Sequence, residues 1–183
     1  MPRVLVPLAQ GCEELEAVTI IDLLRRANIE VVSAGLDSQP VKGSRGVVLL
    51  PDMNLDEALQ EDYDMVVLPG GLPGADNLNG DPRLAELLKK MADSGRYVGA
   101  ICAAPRVLAE KGILDGKKAT AYPGFIDGDL FPKINCTGGP VERDGNILTS
   151  RGPGTAMDFA LAIIEMLCDT QTRNTVEQAL VRP

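Results

Sequence analysis

The 183-residue sequence contains no histidine, and its aromatic side chains number only three tyrosines and three phenylalanines. The missing imidazole excludes, within this chain, Ser-His-Asp triads, Cys-His dyads, HExxH metalloprotease sites and facial-triad iron sites. Acid–base work falls to carboxylates, tyrosines, lysines or thiols. Cysteine is sparse: Cys12, Cys102, Cys136 and Cys168 stand far apart and form no CxxC pair. A disulfide framework and a zinc site are therefore not expected. No apolar run approaches the roughly 20 residues of a membrane span, and Met1-Pro2-Arg3-Val4-Leu5-Val6 leads straight into a strand-like segment without a signal-peptide pattern. A cytoplasmic location with no membrane partner is expected. Basic residues number 18 against 26 acidic ones, a net charge of −8, which argues against a nucleic-acid surface.

What the sequence does contain is an ordinary globular composition, 45% hydrophobic and 24% charged, long enough for a full hydrophobic core in one domain spanning 1–183. Strand-like and helix-like segments alternate. Arg3–Leu8 reads as a buried strand. Glu13–Ala27 reads as an amphipathic helix with Leu15, Val18, Ile21 and Leu24 on one face, and Asn28 as its stop. Strands follow at Ile29–Ala34 and Asp64–Leu68, a hairpin at Val41–Leu50 and a short helix at Leu55–Gln60. A helix over Pro82–Asp93 leads to the strand that delivers Cys102. Beyond it come a helix to about Lys111, a strand near Lys118–Ala121, an irregular Pro123–Pro132 and a hairpin over Val141–Ser150 turning at Asp144-Gly145. Helices over Gly154–Leu167 and Thr170–Leu180 close the chain. This alternation predicts a mostly parallel sheet with helices on both faces and small antiparallel additions. Ligands of such sheets bind beyond the carboxyl ends of the strands, where the strand order reverses. Ala9–Glu16, the Gly70–Gly74 loop and Cys102 are expected to meet there.

In Tyr97-Val98-Gly99-Ala100-Ile101-Cys102-Ala103-Ala104-Pro105 an apolar strand stops at a thiol and a helix starts directly after it. A nucleophile on so sharp a turn needs small neighbours two residues to either side, here Ala100 and Ala104. The turn aims helix N–H groups at the sulfur, which favours thiolate. The competing reading is a core cysteine, since free cysteine is among the most buried residue types. Glu13, Glu14 and Glu16 open the first helix, where acids suit the helix dipole. One of them turned inward would serve as proton donor, base or hydrogen-bond partner to Cys102, and spacing does not choose which. Glu16 is placed to look inward while Glu13 and Glu14 cap the turn. Gly70-Gly71 offers unobstructed N–H groups to an oxyanion, or is a tight turn that needs glycine. It has neither phosphate-binding glycine pattern, and no cofactor is expected. Ser150-Arg151-Gly152-Pro153-Gly154-Thr155 reads either as an anion site at a helix start or as a capped Gly/Pro turn. Cys12 is expected on the rim of the site, within reach of Cys102 as a resolving thiol.

Four segments together resemble the DJ/ThiJ/PfpI superfamily, in its branch of small parkinsonism-associated protein deglycase homologues. They are Gly11-Cys12-Glu13-Glu14-Leu15-Glu16, Val66-Val67-Leu68-Pro69-Gly70-Gly71, Ala100-Ile101-Cys102-Ala103-Ala104-Pro105 and Leu148-Thr149-Ser150-Arg151-Gly152-Pro153-Gly154-Thr155. The resemblance runs from about Val4 to Leu180. It implies a flavodoxin-like three-layer α/β sandwich and a homodimer. It implies Cys102 as nucleophile, Glu16 in contact with its sulfur, and the Gly70-Gly71 loop as substrate-binding, with Gly71 and Ala103 N–H groups forming the oxyanion pocket. The activities implied are glyoxalase-type conversion of methylglyoxal to lactate and repair of glycated proteins, so the expected partner is a small carbonyl compound or a glycated protein. The alternative is a stress sensor or chaperone whose cysteine oxidises to sulfinate. In one place the sequence departs from the pattern: Ala121-Tyr122-Pro123 puts Tyr122 where many members carry a histidine, and tyrosine is a poor base near neutral pH.

Overall fold

The computed structural model describes residues Met1–Pro183. Eleven strands run β1 (Arg3–Leu8), β2 (Glu30–Gly35), β3 (Val41–Lys42), β4 (Val48–Leu49), β5 (Met53–Asn54), β6 (Met65–Leu68), β7 (Tyr97–Ile101), β8 (Lys118–Ala119), β9 (Asn135–Cys136), β10 (Val141–Asp144) and β11 (Ile147–Ser150). The helices are α1 (Glu14–Arg26), α2 (Leu55–Ala58), α3 (Gly74–Asn79), α4 (Pro82–Asp93), α5 (Pro105–Glu110), α6 (Ala156–Leu167) and α7 (Thr170–Ala179).

Seven strands form one sheet in the order β10-β11-β7-β6-β1-β2-β5. Every pairing in it is parallel except β10 with β11. The central strands are apolar along their whole length because both faces are covered. Leu5, Val66, Leu68, Val98 and Ala100 enter one core, whereas Val4, Val6, Met65, Val67 and Ile101 enter the other, where Phe159 of α6 is fully buried. The fold is thus the expected α/β sandwich. Strand order reverses between β1 and β6, so the loops after those strands share one crevice with the end of β7.

Helix starts follow local chemistry. Asp81 accepts from the N–H groups of Arg83 and Leu84 to cap α4, whose first residue is proline, and Asp169 caps α7 through Thr172. Asn28, with φ of 57°, ends the α1 segment as expected.

The buried side of α1 differs from the expected one. Leu15 and Val18 are about half exposed, while Ala17, Ile20, Leu23 and Leu24 are buried. Helix α1 carries two apolar stripes at helical spacing, and packing against the sheet and α6 selects the second. Helix α3 and the two-residue strands β5 and β9 are additional to the expected elements. They are too short to carry a period. No helix is long and apolar enough to cross a membrane.

Candidate active site

Cys102 sits directly after β7 with φ of 63°, a left-handed conformation that is uncommon outside glycine, asparagine and aspartate. The surroundings over-determine it. Its N–H donates to the Ser150 carbonyl at 3.0 Å, and its carbonyl accepts from the Tyr122 N–H at 2.9 Å. Ala100 and Ala104 are fully buried on either side. The elbow is therefore held by β11 and by the Tyr122 segment as well as by its own strand.

Gly70 and Gly71 close over this elbow. A β-carbon on Gly70 would lie 2.7 Å from Cys102 Cβ and 2.9 Å from the Ala103 nitrogen, so glycine is required by proximity alone. Gly71 has φ of +87°, and a β-carbon there would lie 2.4 Å from the Glu13 nitrogen. The Glu13 N–H donates to the Gly70 carbonyl at 2.8 Å. The loops after β1, β6 and β7 meet as expected, and the backbone N–H groups of Gly71 and Ala103 act on the Cys102 thiol in favour of its charged form.

Of the three acids that open α1, only Glu16 reaches Cys102. It is fully buried, and its Oε2 accepts from the Gly70 N–H at 2.8 Å. Its Oε1 makes no hydrogen bond within the fold, and the Cys102 thiol is the side chain that acts on the carboxyl alongside the Gly70 N–H. Burial pushes the Glu16 carboxyl up to about 7, against the pull of the Gly70 N–H and the thiol. Burial comes first in pushing the Cys102 thiol up to about 12, followed by the charge and hydrogen bond of Glu16, while Gly71 and Ala103 oppose them. The expected preference for thiolate is thus corrected. The turn does aim N–H groups at sulfur, but the sulfur is buried against a carboxylate. Near neutrality the thiol keeps its proton, and the carboxyl is the member of the pair that titrates.

Glu13 and Glu14 do not cap α1 through their side chains. Glu14 instead accepts from the Arg45 N–H at 2.9 Å and the Val47 N–H at 3.3 Å, and Ser44 donates its hydroxyl toward both acids. Burial disfavours its charge, yet these donors outweigh burial and hold its carboxyl below the usual range. Glu14 thereby ties the β3–β4 hairpin to α1, a role invisible in sequence because its partners lie some 30 residues away.

Cys12 is not on the rim; it is fully buried, and all four cysteines are free thiols. In the segment before α6, Thr155 Oγ1 accepts from the Gly152 N–H and shares a 2.7 Å hydrogen bond with Ser150 Oγ, closing the turn without capping α6 itself, while Arg151 is exposed without an ion pair. Tyr122 is half exposed, its ring edge-on to Phe125 at 6.2 Å between centroids. Its tie to the elbow through the backbone was not legible from the sequence. No group of three or more carboxylate and cysteine side chains is arranged to hold a metal ion.

A buried carboxyl under a cysteine elbow, at the reversal point of a doubly covered parallel sheet, defines a cysteine-elbow protein of the flavodoxin-like class. The DJ-1/PfpI family pattern matches residues 2–166, and the chain belongs to that family. It is 43% identical over 185 residues to the Parkinson disease protein 7 homolog of Danio rerio, covering 98% of this chain and 96% of the relative. It is 34% identical to the glutathione-independent glyoxalase DJR-1.2 of Caenorhabditis elegans, covering 93% and 91%. Against Protein DJ-1 homolog B of Arabidopsis thaliana the identity is 48% over 90% of this chain, which spans only 37% of that longer protein. Among solved structures, Drosophila melanogaster DJ-1beta superposes with a TM-score of 0.94 at 41% identity over 100% of this chain and 98% of its own. Oxidized Toxoplasma gondii DJ-1 gives 0.93 at 40% over 99% and 98%.

Proposed function

We propose that this protein is a cofactor-independent glyoxalase or deglycase acting on methylglyoxal-like α-oxoaldehydes or their early adducts on protein amines and thiols. The observation that carries the reading is the buried Glu16 carboxyl on which the Cys102 thiol acts, one of its oxygens making no hydrogen bond within the fold. Sulfur attacks the aldehyde carbon as its proton passes to Glu16, giving a hemithioacetal whose oxygen lies against the Gly71 and Ala103 N–H groups. Glu16 passes that proton on to the hemithioacetal oxygen and is a carboxylate again. It then removes the proton from the former aldehyde carbon and returns it to the neighbouring carbon, while the hydroxyl proton crosses to the ketone oxygen, converting the hemithioacetal to a thioester. Water hydrolyses the thioester to the hydroxy acid and frees the thiol. Methylglyoxal and water become lactate, with no external oxidant or reductant. A relative that carries glyoxalase in its name supports the substrate class. The test is lactate formation from methylglyoxal by wild type, Cys102→Ser and Glu16→Gln, and undiminished lactate in Cys102→Ser would overturn the reading.

One observation favours a second reading. Burial raises the Glu16 carboxyl to about 7, and in its protonated form Glu16 donates to a sulfinate on Cys102. The reading is then of a redox sensor or chaperone, tested by mass spectrometry after mild peroxide. Oxidation no greater at Cys102 than at Cys12, Cys136 or Cys168 would remove it.

We also infer a cytoplasmic homodimer. Its interface is supported by Leu15 and Val18 on α1 and by Val47, Val48 and Leu50 on the adjoining hairpin, all exposed apolar side chains.

A further inference from the structure

A second opening lies at the other end of the sheet. Between α4 and the segment entering β6 is a cavity of about 330 Å³, inside the range of roughly 300–1,000 Å³ typical of small-molecule sites. Tyr63 and Arg96 border it and precede β6 and β7, whereas Gly70 and Cys102 follow those strands. The cavity is thus separated from the elbow by the length of the sheet. Its apolar lining is Leu59, Tyr63, Leu87 and Met91. Tyr63 and Met91 are almost wholly buried, with the Tyr63 hydroxyl committed to the Ala58 carbonyl at 3.0 Å and its ring under Arg3, so the apolar surface open to a ligand is that of the half-buried Leu59 and Leu87.

Six charged side chains border the cavity, and four are already matched. Arg83 is held by Asp81 at 2.6 Å and Asp56 at 2.8 Å, Arg96 pairs with Asp62 at 3.3 Å, and Glu61 pairs with Arg3 at 2.7 Å. Glu86 and Lys90 remain, exposed and without an ion pair, one helical turn apart on the same face of α4. Pairing of the two with each other across exposed helix would be weak and easily displaced. One free anion and one free cation beside an apolar floor match a zwitterion with an apolar tail.

We propose that this cavity binds a free L-amino acid with an apolar side chain. The side chain lies against Leu59 and Leu87, the ammonium meets Glu86 and the carboxylate meets Lys90. The binding involves no thiol chemistry and stands independently of the function assigned to Cys102.

The test is titration of L-phenylalanine and L-methionine into the full chain, followed by calorimetry and by amide chemical shifts. Saturable binding is expected, with shifts in 59–63 and 83–96, and Cys102→Ser binds like wild type. Lys90→Glu and Glu86→Lys, both at exposed positions, weaken it at least about tenfold. N-acetyl-L-phenylalanine, which lacks the ammonium, and phenethylamine, which lacks the carboxylate, bind weaker by a similar factor. No saturable binding up to about 10 mM overturns the proposal. So do shifts confined to the elbow, charge reversals without effect, or truncated ligands that bind equally well.

Discussion

Gly70 and Cys102 leave no room for a carbon atom between them: a β-carbon on the glycine would stand 2.7 Å from that of the cysteine. The nearby contacts are backbone atoms of Ile101 and Ala103, which cannot swing aside as a flexible side chain would. Gly70→Ala is therefore expected to destabilise the fold by about 1–3 kcal/mol, lowering the melting temperature by about 2–4 °C per kcal/mol. Alkylation of Cys102 by iodoacetamide should slow in the same variant, because the loop that supplies the Gly71 N–H is displaced. Thermal melts and timed alkylation check both effects.

Glu16 makes stability depend on pH in a defined sense. Its carboxyl rises from an ordinary 4.5 to about 7 in the fold, so the native state binds the proton more tightly than the unfolded chain does. The stabilisation is complete below the unfolded pKa and is lost as pH rises through the folded one. Its full size is about 3 kcal/mol. Glu16→Gln should remove that loss. Between pH 4.5 and 7 the stability difference, variant minus wild type, should grow with rising pH, as read from urea unfolding at each pH.

Glu14 acts in the opposite sense. Its carboxyl is held below the usual range by the hairpin N–H groups, so its contribution is present above the unfolded pKa and lost as pH falls through the folded one. Glu14→Ala leaves the Arg45 and Val47 N–H groups without their acceptor, at a cost of about 1–3 kcal/mol. Amide exchange should rise at Arg45 and Val47 while the Cys102 region stays protected.

The exposed stripe of α1 makes its own prediction. Val18→Asp should convert the proposed dimer to monomer in sedimentation, with the monomer retaining its far-ultraviolet circular dichroism, since Val18 contributes nothing to either core.

Much of the fold was legible because long elements carry a period. The expected spans of β1, α4, α6 and the β10–β11 hairpin agree with the structure to within two residues. The face of α1 was not legible. Leu15-Val18-Ile21 and Ala17-Ile20-Leu24 both repeat at helical spacing, and only contact with α6 decides between them. The glycine loop and the elbow were visible as local strings. Residues alone left three acids open, and the resemblance chose Glu16, because the selecting contact joins Glu16 to Gly70 across 54 residues. Glu14 and the Tyr122 backbone tie are likewise long-range, and Cys12 was misplaced because a residue beside a site loop can still point into the core.

In the proposed reaction Cys102 supplies the nucleophile while Glu16 moves the proton, and one variant separates the two roles. Glu16→Gln removes a charge and a hydrogen bond that both push the Cys102 thiol up, so alkylation near pH 8 should be as fast as in wild type or faster. Lactate formation from methylglyoxal should fall by roughly 10²–10⁴-fold, the usual worth of a positioned acid–base group. Fast alkylation with lost turnover is the predicted result. Turnover that survives in Glu16→Gln, or alkylation and turnover that fall together, would contradict the account.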